Sequence, residues 1–321
     1  MTISSPASAP IDYDRILATI AAEVAPLLTQ GRVADYIAPL AQVSPSHFGM
    51  AVVTLDGSVH TVGDAGQRFS IQSISKLFAL ALAFSLIGDE VWTRVGREPS
   101  GSPFNSLVQL EVEQGHPRNP FINAGAIVIT DILSSRFVQS EIALLQFIRT
   151  LAGAPDLEFD VSVARAEVRS AHRNIAMAHF MKSFGNLVNP VDDVIASYCR
   201  QCAITMSCVE LARAVGFLVN GGVLPGNGGA NNTANTRILG ASPTKRLNAL
   251  MLTCGTYDAA GDLAFRVGLP AKSGVGGGIL ALVPGVLGVC VWSPGLDAHG
   301  NSLAGSMALE RFTDLTGQSV F

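Results

Sequence analysis

The chain has 321 residues, of which 48% are hydrophobic and 14% charged, a length and composition ample for a sizeable buried core. A net charge of −4 and a pI near 5.8 leave no electrostatic footprint for nucleic acid. The longest apolar stretch, Ile279 to Trp292, is interrupted by Pro284, Gly285 and Gly288, which excludes a bilayer span of about 20 residues.

Met1 to Pro10 is polar and lacks a basic start followed by an apolar core, so no signal peptide is expected there. Ile16, Leu17, Ile20, Val24, Leu27 and Leu28 fall on one stripe and predict an amphipathic helix from Ile11 to Gln30, ended by Gly31. Two β-rich runs, Phe48 to Leu55 and Ser58 to Val62, flank Asp56-Gly57 and predict a hairpin. Gln72-Ser73-Ile74-Ser75-Lys76 then opens the apolar run Leu77 to Leu82, which reads as a helix. From about Leu86 to Cys208 the pattern is helical with polar loops and little strand alternation. Ser207-Cys208-Val209-Glu210 is a capping box for a helix that stops at Gly221-Gly222. Gly226 to Asn232 reads as a surface loop without the Gly-Lys-[Ser/Thr] of a phosphate site. Ser242 reads as an N-cap with Pro243 at the first helical position. Leu263 to Ser293, beginning with Leu263 to Val267, reads as consecutive strands, and Asn301 or Ser302 caps a final helix. Strands at both ends with helices between predict one domain over 1–321. Its discontinuous α/β part covers about 1–85 and 209–321, with a helical part at about 86–208.

The chemistry concentrates at Ser73 and Lys76. Three residues apart on a helix, they share a face one turn from each other. A serine in the first turn also sits beside unpaired backbone N–H groups and the positive end of the helix dipole. A nucleophile attacking a carbonyl needs both features: a nearby base and donors for the oxyanion. Ser242-Pro243-Thr244-Lys245 repeats the spacing, but there capping is the simpler reading. The six histidines form no convincing Ser/His/Asp arrangement, which favours a lysine or tyrosine base. Cys199-Arg200-Gln201-Cys202 has redox or metal spacing, yet there is no second Cys pair and no His-x-x-x-His. The five cysteines are therefore read as reduced, buried small hydrophobes, with no metal and no cofactor expected.

Ser-x-x-Lys early and Lys272-Ser273-Gly274 late is the motif order of the serine β-lactamase and penicillin-binding group. A closer resemblance runs from about Ile16 to the C-terminus without large gaps. Leu55-Asp56-Gly57, Val62-Gly63-Asp64, Gln72 to Lys76, Glu98-Pro99-Ser100-Gly101, Asn119 to Ile127 and Arg173-Asn174 resemble the serine-dependent glutaminases. So do Cys254-Gly255-Thr256-Tyr257-Asp258, Gly268 to Ile279 and Trp292-Ser293-Pro294.

The resemblance implies an α/β (α+β) β-lactamase-like fold, a mostly antiparallel sheet flanked by helices with a helical insertion. It implies hydrolysis of L-glutamine to L-glutamate and ammonia. Ser73 would form an acyl-enzyme, with Lys76 and Tyr257 sharing the proton relay and the base left open between them. Backbone N–H groups of Ser73 and Val275 match the family's oxyanion hole. Glu167 matches the residue that holds the substrate ammonium; Asn123, Asn174 and Tyr198 grip the amino-acid end, and Tyr36 is a pocket tyrosine. Were Glu167 to Asn174 one helix, their spacing of seven would put both on one face. Lys272 carries two readings, tuning the field at the nucleophile or tying its strand to a helix. Family habit implies a homo-oligomer, dimer or tetramer; composition implies a cytoplasmic protein free of nucleic acid and membrane. Two other functions fit the same scaffold: a penicillin-recognising acyl-enzyme, which would be exported and would not need Glu167, and a non-catalytic binding module, which would lack Ser73 or Lys76.

Overall fold

A computed structural model describes residues 11–101, 106–226 and 236–321. The N-terminal decapeptide and most of the Gly226 to Asn232 segment lie outside the described residues. Among the described residues there are seven strands: β1 (Gly49–Thr54), β2 (Val59–Gly63), β3 (Phe69–Ser70), β4 (Thr205–Met206), β5 (Ala271–Ser273), β6 (Gly278–Val283) and β7 (Leu287–Trp292). Five form a sheet in the order β2-β1-β7-β6-β5, antiparallel throughout, and β3 pairs with β4. The expected antiparallel sheet flanked by helices is present.

The central strands are buried on both sides, and their residues alternate between two cores as the two-residue period requires. Met50, Val52, Ile279, Ala281, Val289 and Val291 face one side. There they meet Leu17, Ile20 and Val24 of the Tyr13–Val24 helix and Leu309 and Phe312 of the Leu303–Thr316 helix. Ala51, Val53, Leu280, Leu282, Cys290 and Trp292 face the other side, against the larger helical body. Edge strand β2 is half exposed along its length.

The helix Ser75–Ile87 is apolar all round, and every residue from Ser75 to Phe84 is buried. A helix of that kind has no polar face to give to solvent and must run through the centre of the molecule. Its first turn carries Lys76 into the interior, and the turn just before it carries Ser73. Ser207 and Glu210 form both bonds of the capping box, and Ser302 caps the last helix.

Two local readings are corrected. Leu263 to Val267 is not a strand, because Ala260–Arg266 is helical. Leu263 and Val267 are four apart and enter the core, while Phe265 is 90% exposed and Asp262 pairs with Arg266 one turn on. The five-residue run fitted either period, and the 3.6-residue one prevails. Ser242 is not an N-cap either: the helix Ala241–Cys254 begins after Gly240. Pro243 sits in the first turn, where a missing N–H costs nothing. Thr244 Oγ1 donates to the Gly240 carbonyl at 2.8 Å.

Candidate active site

Ser73 sits in a single 3₁₀ turn, Gln72–Ile74, that leads into the Ser75–Ile87 helix. Gln72 holds φ at 50°, a left-handed conformation that costs a non-glycine residue on the order of 1–3 kcal/mol. Tyr257 is held at φ 58°, so two of the three positive-φ non-glycine residues among those described face the same place. Such outliers persist only where packing over-determines them.

All eight residues assigned above to binding line one cavity of about 270 Å³: Tyr36, Ser73, Asn123, Glu167, Asn174, Tyr198, Tyr257 and Val275. Lys76 lies just behind its wall, 2% exposed. The Nζ of Lys76 donates to Asn123 Oδ1 at 2.6 Å and to the Phe121 carbonyl at 3.3 Å. Asn123 Nδ2 in turn donates to Asn174 Oδ1 at 3.1 Å. A neutral amine has two hydrogens and one lone pair. With both hydrogens committed, the lone pair is what Lys76 has left to offer. Burial lowers the Lys76 pKa to about 8, because charge is costly where water is absent. Burial pushes the Tyr257 phenol pKa upward, against the smaller opposing pull of the nearby Ser73 and Ser273 hydroxyls. It is therefore a proton donor at neutral pH.

Glu167 and Asn174 do not share a helix. One helix ends at Ser170 and the next begins at His172, with Ala171 between them. The break turns both side chains into the cavity by a route the seven-residue spacing does not describe. Burial raises the Glu167 pKa to about 7, against the opposing pull of a Gln72 hydrogen bond and the Lys76 charge. The carboxyl group is thus held in a dry site, where a nearby opposite charge acts most strongly.

Val275 occupies the second position of a turn in which the Gly277 N–H donates to the Gly274 carbonyl at 2.9 Å. That bond uses the first carbonyl and the fourth N–H and does not consume the N–H of Val275, a residue that lines the cavity. The turn lies directly on the Ser73 segment. A Cβ at Gly274 would come within 2.5 Å of the Ile71 carbonyl oxygen, and one at Gly276 within 2.2 Å of the Ser70 oxygen. Only glycine permits the approach. Lys272 is fully buried, and its Nζ donates to the carbonyls of Gly255 at 2.9 Å and Ser273 at 2.6 Å. Of its two readings, the tie between β5 and the segment carrying Tyr257 is the one the bonds describe.

Six residues that sequence reasoning did not assign to the site also line the cavity: Ile37, Ser170 and Ala171, and the motif residues Gln72, Arg173 and Cys202, which were noted for other reasons. The left-handed Gln72 has no sequence signal, since glutamine carries none of the turn preference of Gly or Asn. Cys202 is 3% exposed, and burial raises its thiol pKa to about 12; the Cys199 thiol is pushed up for the same reason. Neither yields a thiolate near neutral pH. Replacing Cys199 and Cys202 together by alanine is therefore expected to keep kcat within about threefold while lowering stability by about 2 kcal/mol through lost packing. A chemical melt and an ammonia assay on the same preparation check this, and loss of turnover in the folded variant would contradict it. Among the described residues no group of three or more His, Cys, Asp or Glu could hold a metal ion, and no helix is long and apolar enough to cross a membrane.

The glutaminase family model matches residues 31–321. The glutaminase of Ralstonia nicotianae is 62% identical over 311 residues, covering 97% of this chain and all of the relative. Among solved structures, the probable glutaminase ybaS superposes with a TM-score of 0.89 at 36% identity, covering 96% of this chain and 97% of the other. A probable glutaminase from Bacillus subtilis, complexed with 6-diazo-5-oxo-L-norleucine, gives 0.86 at 32% identity, covering 98% and 99%. The family match spans the strands of the sheet, the Ser75–Ile87 helix and every residue that lines the cavity, and the chain belongs to the glutaminase family.

Proposed function

We propose that this protein hydrolyses the side-chain amide of L-glutamine, giving L-glutamate and ammonia through an acyl-enzyme on Ser73. The observation that carries the reading is the convergence of a serine, a desolvated lysine, a phenol and an ammonium-binding carboxylate on one small cavity. Glutamine enters with its ammonium against Glu167 and its amino-acid end between Asn123, Asn174 and Tyr198, with Tyr36 at the mouth. Neutral Lys76 takes the proton as Ser73 Oγ attacks the amide carbon. The oxyanion is received by the N–H groups of Ser73 and Val275. Tyr257 passes its proton to the departing nitrogen and is reprotonated from Lys76. Water then attacks the ester, with Lys76 again the base, and releases glutamate. The raised phenol pKa and lowered amine pKa favour this division of labour over a tyrosinate base.

Residues 1–321 form one catalytic unit in this reading, the α/β part at about 1–85 and 209–321 and the helical part at about 86–208 meeting at the cavity. The protein works in the cytoplasm as a homo-oligomer, a dimer or tetramer. Mean hydropathy of +0.37, high for a chain of its size, fits a subunit interface. The test is ammonia release from glutamine, asparagine and a chromogenic β-lactam side by side. Glutamine is expected to be turned over and the β-lactam left intact; cleavage of the β-lactam with no ammonia from glutamine would overturn the reading.

A further inference from the structure

Trp292 closes β7 and does not line the cavity, yet it reaches the loop that does. Its Nε1 donates to the Gly276 carbonyl at 3.0 Å, one residue past Val275. Two rings stack on the indole. His47 stacks on it with ring centres 5.1 Å apart and an interplanar angle of 21°, and Phe69 stacks at 5.0 Å and 1°. His47 is itself held by Asp64, whose carboxylate lies 2.8 Å from Nδ1 and also accepts the Phe48 N–H at 3.2 Å. These contacts restrain the indole and hold its N–H towards the Gly276 carbonyl. The turn it reaches is anchored at its far side as well: the Ser293 N–H donates to the Gly277 carbonyl at 3.0 Å.

Packing alone asks only for a large flat ring at this position. A phenyl ring would fill most of the stack, and nothing in the core calls for a donor. The donor serves the Gly276 carbonyl, and through it the backbone that presents the Val275 N–H. We propose that Trp292 is a positioning residue for glutamine hydrolysis, one that holds the Gly274–Gly277 turn so that the Val275 N–H meets the oxyanion. This rests on the assignment of Val275 as an oxyanion donor. Donors of this kind act only when aimed at the charge that develops in the transition state. A displaced turn therefore lowers kcat and leaves ground-state binding alone.

Trp292→Phe keeps the stack and removes the donor. With loss of a whole oxyanion donor costing about 100-fold or more, misplacement of one is expected to lower kcat for glutamine about tenfold. KM and the dissociation constant of glutamate should stay within about twofold. A lowered melting temperature with unchanged kcat would mark a purely structural tryptophan and overturn the proposal. So would a loss confined to KM and glutamate affinity. Should Trp292→Phe fail to fold, His47→Ala removes one partly exposed wall of the stack and leaves the indole and its bond. It is then expected to lower kcat about threefold at unchanged glutamate affinity, and an unchanged kcat would overturn the proposal. Ser73→Ala measured in parallel separates the two levels. Activity surviving in Ser73→Ala sinks the acyl-enzyme reading itself. A dead Ser73→Ala beside a fully active Trp292→Phe sinks only the role of Trp292.

Discussion

Replacing Ser73 by alanine lowers kcat for glutamine by about four orders of magnitude or more while the protein stays folded. The size follows from what the change removes. In serine acyl-transfer enzymes the nucleophile acts as a unit with its base, and losing it forfeits nearly all of their joint contribution. Lys76 then has no hydroxyl to deprotonate and Tyr257 no leaving group to protonate, and only the oxyanion donors and substrate binding remain. The fold has little to lose. Ser73 is 9% exposed, and a single oxygen at the cavity wall is deleted with no packing methylene removed. A stability change within about 1 kcal/mol is expected. Ammonia release and a denaturant melt on the same sample check both halves.

Glu167→Gln is expected to lower kcat/KM for glutamine at least about tenfold above pH 8, because a desolvated charge pair is worth about 2–5 kcal/mol. The pH dependence carries the sign. With a pKa of about 7, Glu167 is a carboxylate above that pH and a neutral acid below it. The wild-type advantage over Gln must therefore shrink as pH falls through 7 towards 6. Lys76, with a pKa of about 8, must lose its proton to act as a base. Wild-type kcat/KM thus rises with pH through both groups, and the variant keeps only the upper step. An analogue lacking the α-amino group should be a poor substrate for the wild type, and the Gln change should penalise it much less. Equal losses on substrates with and without that group would exclude Glu167 as the ammonium partner.

The parts of the fold legible in the sequence were those with an unambiguous period or cap. The Ile16 to Val24 stripe, the Asp56-Gly57 hairpin, the Ser207 to Glu210 box and the all-apolar Leu77 to Leu82 run each admit one local structure. Leu263 to Val267 was too short to distinguish a helix from a strand, and packing against the C-terminal helix decided it. The site was legible in a different way. Spacing pointed to Ser73 and Lys76, whereas Tyr36, Asn123, Glu167, Asn174, Tyr198, Tyr257 and Val275 came from family resemblance, since residues so far apart carry no local signal of a shared cavity. What neither route supplied was backbone conformation: the left-handed Gln72 and Tyr257, the break at Ala171, and the indole bond to Gly276. These depend on contacts between segments remote in the chain, which no local pattern encodes.

The acyl-enzyme on Ser73 is tested most directly by covalent trapping. The protein is incubated with an electrophilic glutamine analogue such as 6-diazo-5-oxo-L-norleucine, digested, and mapped by mass spectrometry. A single adduct on Ser73 is predicted, protected by excess glutamate and absent from Ser73→Ala. Inactivation with Ser73 unmodified and the adduct on Cys202 or another cavity residue would contradict the account.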